Sequence, residues 1–290
     1  MSCYQIADIS LGVLWGNEHI KNKKYRYHDC IVLPRILEAF RCNEKHQKLD
    51  MNVKVNEIRE FSFNKNYKKI FNQSFFQQDD KMVMTVYDPY DEAMPGYSIV
   101  MSSDYSYVEY TPHIKEYEHY DLQWLMHPFE GKVLYKGGIV LHGAAIEHNG
   151  KGIIFTGISG SGKTTQAHLW QKYREALIIN GDCPLVKIND GVLKVYGTPW
   201  CGTSGEAINR GVSLDAVVLV KQGERDVLKE LYGSEAFLAL LANVLHSNFD
   251  KNSLDLAIEN LKGIISKIRV FECTFTISEK AVKILENEIM

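Results

Sequence analysis

A glycine-rich run between residues 157 and 165 has the composition of a loop that binds phosphate. Glycines let the backbone turn its N–H groups inward around a polyphosphate. A lysine at the end of such a run reaches the outer phosphates, and the hydroxyl that follows it is a ligand for Mg²⁺. The run therefore predicts a nucleotide site, with Thr164 as a metal ligand. The residues that would contact the nucleotide are Gly157, Ser159, Gly160, Ser161, Gly162, Lys163, Thr164 and Thr165.

The segments on either side of this run are those that a phosphate-binding loop needs. Residues 153–155 are a short apolar run, and apolar residues at helical spacing follow Thr164. They predict a strand before the loop and a helix after it, whose positive N-terminal end would face the phosphates. The alternative is a Gly/Ser turn at the surface, but the order of strand, loop and helix favours a phosphate site.

Phosphoryl transfer also needs a carboxylate close to the loop, as a base or as a metal ligand. Asp182 is the strongest candidate because it ends residues 177–182, where a predicted buried strand leads directly into an acidic residue. The alternative is an aspartate that only begins the turn before Pro184. We expect Asp182 to serve as the acid/base group or as a metal ligand.

His142 lies on a predicted strand over residues 138–146. The Asn149-Gly150 turn would fold this strand back beside the glycine-rich run as an antiparallel hairpin. His142 would then contact a phosphate or tune the base. The alternative is a histidine that is buried and hydrogen-bonded in the core.

A long polar segment over residues 198–211 follows the predicted strands. Loops of this length inside a compact domain are usually functional. Glu206 would complete the metal shell, and Arg210 would stabilise the charge of the transferring phosphoryl group. The alternative is a disordered surface loop.

The composition describes an ordinary globular chain. Its 290 residues carry a formal net charge of −3, which gives no general attraction to nucleic acid or to anionic membranes. No apolar run approaches the roughly 18 residues that a membrane span needs, and residues 1–5 do not open a secretory signal. We expect a cytoplasmic protein without a membrane segment. The six cysteines lack a C-x-x-C spacing, which favours reduced thiols.

The two parts of the chain differ in texture. Residues 1–130 are rich in Tyr, Phe and Asn with short alternating runs, which predicts a β-rich N-terminal domain. Residues 131–290 have intervals between strands that are too short for βαβ units, which predicts an α/β domain with a mixed, partly antiparallel sheet. The C-terminal part adds three predicted helices, over residues 236–245, 254–268 and 279–288, capped by Ser234, Ser253 and Ser278.

The order of motifs resembles that of the HPr kinase/phosphorylase-related kinases, which belong with the phosphoenolpyruvate carboxykinase-like phosphate-loop proteins. The resemblance covers roughly residues 135–290. It rests on His142, the run from Gly157 to Thr164, Asp182, and Glu206 with Arg210. One aspartate stands at Asp182 where the family usually has two, and the interval from Glu206 to Arg210 is longer than in the family.

The resemblance implies a kinase that uses ATP and Mg²⁺ and transfers the γ-phosphate to a hydroxyl, typically that of a serine. The acceptor would be a peptide, a protein or a small molecule, and the N-terminal domain would take part in recognising it. The catalytic residues would be His142, Lys163, Asp182 and Arg210, and the metal ligands would be Thr164, Asp182 and Glu206.

Two other functions stay open. A nucleotide-binding regulatory protein without phosphoryl transfer agrees with the single aspartate. A nucleic-acid binder would use the basic and aromatic residues 19–28, but the patch is short and the chain is acidic overall. The oligomeric state is open as well, a homo-oligomer included.

Overall fold

The computed structural model describes residues 1–16, 34–42, 48–62, 68–70, 72–78, 80–91, 93–117, 123–247 and 250–289. These residues form two compact units, one within Met1–Tyr27 and Arg41–Lys132 and the other within His28–Phe40 and Val133–Met290. The basic and aromatic residues 19–28 lie outside the described part of the chain. None of the helices in the described part is long and apolar enough to cross a membrane.

The first unit is a mixed sheet of eight strands in the order β1-β2-β3-β8-β7-β6-β5-β4. Strands β2 and β8 both run parallel to β3, and the other neighbours are antiparallel. The strands are β1 (Ser2–Ile6), β2 (Ile9–Trp15), β3 (Met51–Val55), β4 (Lys68–Ile70), β5 (Gln73–Gln78), β6 (Lys81–Tyr87), β7 (Pro95–Ser102) and β8 (Tyr107–Pro112).

Backbone conformation sets the starts of two strands in this unit. Pro95 is the first residue of β7, a position where the missing N–H of proline is tolerated. Strand β8 begins only at Tyr107, because Tyr105 has a φ of 56° and belongs to the preceding turn.

The second unit contains a mixed sheet of ten strands and most of the helices. Its strands are β9 (Gly138–Leu141), β10 (Gly143–His148), β11 (Lys151–Thr156), β12 (Leu177–Asn180), β13 (Leu185–Asn189), β14 (Val192–Tyr196), β15 (Gly211–Gln222), β16 (Val227–Leu231), β17 (Val244–Leu245) and β18 (Arg269–Phe275). The α-helices in the described residues are α1 (Pro34–Glu38), α2 (Met126–Tyr135), α3 (Lys163–Arg174), α4 (Gly233–Leu241), α5 (Lys251–Ile265) and α6 (Glu279–Ile289). The prediction of a mixed, partly antiparallel sheet is confirmed, since β11 and β18 run parallel to β15 among antiparallel neighbours.

The ten-stranded sheet folds back on itself. Its main path is β12-β10-β11-β15-β14-β13-β9-β17, so four strands separate β9 from β10 and also β12 from β13. Strands five places apart would lie about 24 Å from each other in a flat sheet. The chain nevertheless passes from β9 to β10 through His142 alone, a step that spans about 7 Å at most. The first half of the sheet, with β12, β10, β11 and β15, must therefore face the second half, with β14, β13, β9 and β17.

The alternation of side chains along the strands builds two cores, one on each face of the first half. Ala144 and Phe155 point to one face, which packs against α3 and α6 around Trp170. Ala145 and Ile154 point to the other face, which packs against the second half of the sheet and against α4 and α5. The β10–β11 hairpin is thus buried on both sides.

Several predicted elements of this unit end elsewhere than expected. The strand predicted over residues 138–146 is broken at His142, where the chain changes from one half of the sheet to the other. The helix predicted over residues 236–245 ends at Leu241, because Val244 and Leu245 pair with β9 as β17. The cap of α5 is Asp250, whose carboxylate accepts from the Asn252 amide, and not Ser253.

A tight backbone contact gives a stability prediction. A Cβ on Gly197 would overlap the carbonyl oxygen of Ile208 and approach that of Ile179 to 2.9 Å. We expect Gly197→Ala to lower the free energy of unfolding by about 1–3 kcal/mol, as overpacking does. Urea unfolding followed by circular dichroism measures this.

Gly263→Ala is the matched control, because Gly263 lies exposed on α5 with no atom near its Cβ position. We expect this change to raise stability by about 0.5–1 kcal/mol through helix propensity. A Gly197→Ala protein at least as stable as the parent would contradict the described packing of residues 197 and 208.

Candidate functional site

The glycine-rich loop joins the end of β11 to the start of α3. Gly157, Gly160 and Gly162 have φ values of 136°, 77° and 103°, in the region that favours glycine. A Cβ on Gly157 would also lie 2.9 Å from the carbonyl oxygen of Val220 on the neighbouring β15. The loop conformation therefore depends on the glycines that the sequence places there.

Lys163 folds back over the loop from the first turn of α3. Its Nζ donates hydrogen bonds to the carbonyl oxygens of Gly157, at 3.0 Å, and Ile158, at 3.1 Å. Burial lowers the pKa of the Lys163 ammonium, and the negative charge of Asp182 partly offsets this effect. The ammonium thus lies inside the loop, where two carbonyl oxygens accept its hydrogen bonds.

The N-terminus of α3 opens into the same loop. Gly162 is the N-cap, and no side chain caps the helix. The first N–H groups of a helix have no intrahelical acceptor, so those of this turn remain donors towards the loop. Thr164 and Thr165 are half-buried in this turn, and Ser159 is exposed at the tip of the loop. Gln222 holds the loop from β15 through a 2.7 Å hydrogen bond from its Nε2 to the Gly160 carbonyl.

Ser161 differs from the other residues of the loop because its side chain turns inward. Its hydroxyl is buried and has no hydrogen-bond partner among the described residues. A Cβ on Gly157 would approach this hydroxyl to 3.2 Å. Ser161 therefore fills space beneath the loop rather than its open side.

His142 and Asp182 meet at the two short connections between the halves of the sheet. The Nδ1 of His142 lies 3.2 Å from Oδ1 of Asp182, and both side chains are about one-third exposed. The Gly143 amide donates to the Asp182 carbonyl at 2.7 Å, and the hydroxyl of Thr156 donates to the His142 carbonyl at 2.8 Å. Because Thr156 is the last residue of β11, the pair is fixed to the strand that leads into the loop.

Asn180 orients the turn that carries Asp182. This fully buried side chain accepts hydrogen bonds from the amides of Asp182, at 2.9 Å, and Cys183, at 2.6 Å. Its Nδ2 donates to the carbonyls of Thr198, at 2.8 Å, and Trp200, at 3.2 Å. Asn180 was not among the predicted site residues, although an asparagine side chain that bonds the backbone two residues further on is a common way to close a turn.

The surroundings of Asp182 favour its ionised form. Burial by itself raises the pKa of the carboxyl group, but the hydrogen bond and charge of His142, the Cys183 thiol and the Lys163 ammonium lower it more. The resulting pKa lies below the ordinary value of an aspartate. Asp182 is therefore a carboxylate at neutral pH, able to accept a proton or to bind a cation.

The segment over residues 198–211 is packed against β12, so the alternative of a disordered surface loop is wrong. The Gly181 amide donates to the Glu206 carbonyl at 2.9 Å, and Ala207 forms a β-bridge with Asn180. A Cβ on Gly202 would lie 2.9 Å from the carboxyl carbon of Asp182. Trp200 is only 3% exposed and is part of this packing.

Glu206 is placed beside the first turns of α3 by His168, which was not among the predicted site residues. Its Oε2 lies 2.9 Å from Nε2 of His168. His168 follows Thr164 by four residues, which is the helical spacing that puts two side chains on one face, and this spacing is the sequence signal for it. Burial, Asp182 and Glu206 together raise the pKa of the Cys201 thiol to about 11, so both carboxylates act on the same turn.

Arg210 is not brought to the loop. It forms a two-pronged ion pair with Glu147, with its Nη2 at 2.7 Å from Oε1 and its Nε on Oε2. Glu147 is five residues beyond His142 along β10, a distance of about 16 Å in a strand. The position of Arg210 speaks against the expected role beside a transferring phosphoryl group.

The structure thus gathers Lys163, Thr164, His142, Asp182 and Glu206 at one end of the sheet. No group of three or more His, Cys, Asp or Glu side chains that could hold a metal ion occurs among the described residues. The oxygen donors at this end, one hydroxyl and two carboxylates, are nevertheless of the kind that Mg²⁺ takes together with phosphate oxygens. No disulfide joins any two of the five cysteines in the described ranges.

Comparisons with known proteins give a partial similarity in fold. No protein-family model matches this sequence, and no curated protein matches it. Among solved structures, one described as an HPr(Ser) kinase/phosphatase from Coxiella burnetii is similar over 51% of this chain and 95% of that chain. The TM-score is 0.30 and the sequence identity is 11%.

The lowered pKa of Asp182 predicts how stability depends on pH. A carboxylate whose pKa is lower in the folded state than in the unfolded state stabilises the fold above the unfolded value, which is about 3.9. This contribution is lost as the pH falls through the folded value. We expect the difference in unfolding free energy between the parent protein and Asp182→Asn to favour the parent least in acid and to shift in favour of the parent as the pH rises to about pH 5. Urea midpoints between pH 3 and pH 7 measure it.

Glu224→Gln is the control for this series, because Glu224 is exposed after β15. We expect it to change stability by no more than about 0.5 kcal/mol at each pH. A difference between the parent and Asp182→Asn that stays flat from pH 7 to pH 3 would show that Asp182 is not held ionised by its neighbours.

Proposed function

We propose that the second unit is an ATP- and Mg²⁺-dependent kinase of the HPr kinase-like kind, which transfers the γ-phosphate to a hydroxyl group. The observation that carries the proposal is the meeting of the His142–Asp182 pair with Lys163 at the mouth of the glycine-rich loop. The acceptor is a serine or another alcohol on a peptide, a protein or a small molecule. The β-rich first unit is proposed to take part in recognising it.

The loop supplies the phosphate site in this proposal. The amides of residues 157–165 and the free N–H groups of α3 surround the phosphates, and Lys163 exchanges its two carbonyl acceptors for phosphate oxygens. This exchange replaces two neutral carbonyl acceptors with anionic phosphate oxygens, which bind an ammonium more strongly. It moves the positive charge of Lys163 from the loop to the outer phosphates, where charge develops during transfer.

Asp182 is the proposed base. Its carboxylate is ionised at neutral pH, and it is partly exposed on the side of the loop. It accepts the proton of the acceptor hydroxyl as the oxygen attacks the γ-phosphorus, and the bond from the γ-phosphorus to the bridging oxygen of ADP breaks. The His142 ring lies next to Oδ1 and the Cys183 thiol donates to Oδ2 at 3.4 Å, so these two groups hold the carboxylate in place. The acceptor hydroxyl would use a remaining lone pair of the carboxylate oxygens.

The metal would be held by oxygen ligands of this chain. Thr164 supplies a hydroxyl in the first turn of α3, and Asp182 and Glu206 supply carboxylates. Mg²⁺ bound here would neutralise negative charge on the β- and γ-phosphate oxygens. The hard oxygen donors agree with this cation.

Two substitutions test the proposal with γ-labelled ATP, Mg²⁺ and a panel of serine, small alcohols, peptides and a cell extract. We expect Lys163→Ala to weaken ATP binding by at least about tenfold, because it removes charged hydrogen bonds. Asp182→Asn should keep the affinity for ATP within about threefold and lower label transfer by about 10²- to 10⁴-fold, as loss of a general base does. Calorimetry measures binding, and transferred label measures the reaction.

The parent protein is the reference in both assays. Tight binding of ATP without label on any hydroxyl would instead support a nucleotide-binding regulatory protein. Full transfer by Asp182→Asn would remove Asp182 from the mechanism.

Arg210 gives a separate prediction because of its ion pair with Glu147. We expect Arg210→Ala to leave both the affinity for ATP and the rate of transfer within about twofold, since the side chain points to the far end of β10. The same assays on Lys163→Ala serve as the positive control. A loss of transfer above about tenfold, with ATP binding unchanged, would restore Arg210 to the catalytic residues.

A further inference from the structure

His168 and Glu206 form a contact that nothing in the proposed chemistry requires. The Nε2 of His168 lies 2.9 Å from Oε2 of Glu206, and the two side chains are 49% and 30% exposed. In the part of the chain that the structure describes, His168 is the one side chain paired with the Glu206 carboxylate. This contact crosses from helix α3 to the segment that packs on β12.

The helix places His168 next to the proposed metal ligand Thr164. The two residues are four apart in α3, so their side chains lie one turn from each other on the same face, with Cβ atoms about 5–6 Å apart. Any group that His168 holds is therefore brought to the side of the helix on which Thr164 lies.

The main chain of Glu206 is fixed independently of its side chain. Its carbonyl accepts from the Gly181 amide at 2.9 Å, and its amide donates to the Ser204 hydroxyl at 3.2 Å. A glutamate side chain still has several rotatable bonds, and ordering them costs conformational entropy. The bond to His168 is what selects one direction for the carboxylate.

We infer that His168 is a positioning residue that holds the Glu206 carboxylate beside Thr164, ready to bind the divalent cation of the nucleotide complex. The inference rests on the proposed function. His168 itself touches neither substrate nor metal in this assignment. Partners that orient a metal-binding carboxylate typically change metal affinity by 10- to 100-fold when they are removed. Mg²⁺ demands well-placed ligands, so an oriented carboxylate matters more for it than for a larger cation.

The test uses Mn²⁺ as a probe with the full chain. Free Mn²⁺ is counted by electron paramagnetic resonance in titrations of the protein with ADP, and binding of ADP without metal is measured in parallel with a chelator present. The variants are His168→Leu, His168→Gln, Glu206→Gln and the double variant His168→Leu/Glu206→Gln. Melting temperatures check that each variant is folded.

The expected results separate positioning from a general structural role. His168→Leu should weaken Mn²⁺ binding in the ADP complex by about tenfold and leave metal-free ADP binding unchanged. His168→Gln should stay within about threefold of the parent, because its amide also donates a hydrogen bond to the carboxylate. The double variant should bind Mn²⁺ no more weakly than Glu206→Gln, because both substitutions disable the same oriented carboxylate.

Each contrary outcome has its own meaning. If the parent binds Mn²⁺ with ADP and His168→Leu binds it equally well or better, the inference fails while the nucleotide site stands. If the parent binds neither ADP nor Mn²⁺–ADP, the proposed function fails and the inference fails with it. If His168→Leu does not fold, the comparison of His168→Gln with Glu206→Gln decides: equal losses of Mn²⁺ affinity overturn the inference, and retention by His168→Gln supports it.

Discussion

The hydrogen bond from the Gly143 amide to the Asp182 carbonyl, 2.7 Å long, joins the two connections on which the second unit depends. One connection is His142 alone, and the other is the turn over residues 181–184. Both carry the chain from one half of the ten-stranded sheet to the other. Because the connections are so short, the sheet has to fold back, and the side chains of His142 and Asp182 meet where the connections lie side by side.

This constraint explains how the candidate site is positioned. The His142 carbonyl is held by Thr156 at the end of β11, and the Asp182 turn is held by the buried amide of Asn180. The side chains of His142 and Asp182 are therefore directed by backbone contacts before any ligand is present. Side chains that are held in this way lose little conformational freedom when they make further contacts.

The sequence predicted the parts of this arrangement that depend on local signals. Strand, glycine-rich loop and helix follow one another as expected, because apolar runs and glycines specify them over a few residues. The mixed sheet followed from the short intervals between strands, and the structure confirms it.

The break of the predicted strand at His142 was not predicted, because the adjacent Gly143 does not by itself distinguish a break from a glycine within a strand. Its cause is the pairing of β9 with distant β13 and β17. Arg210 was selected for its neighbours in sequence, whereas its position depends on pairing with Glu147 across the sheet. His168 has a local signal in its helical spacing of four residues from Thr164, and Asn180 has one in the tendency of asparagine to close turns. Their partners, Glu206 and the residues around Thr198, lie far along the chain, so those signals could be interpreted only with the fold.

The contacts of Lys163 bear on which anions the loop would accept in the proposed function. Its ammonium already has two carbonyl oxygens as acceptors, so an entering anion would have to replace both. A small anion such as chloride would offer one contact in exchange for two and would gain little. A chain of phosphates would offer several oxygens at once to the ammonium and to the amides of α3, and its net gain would be larger. Lys163 would therefore discriminate between anions by the number of oxygens that each one offers.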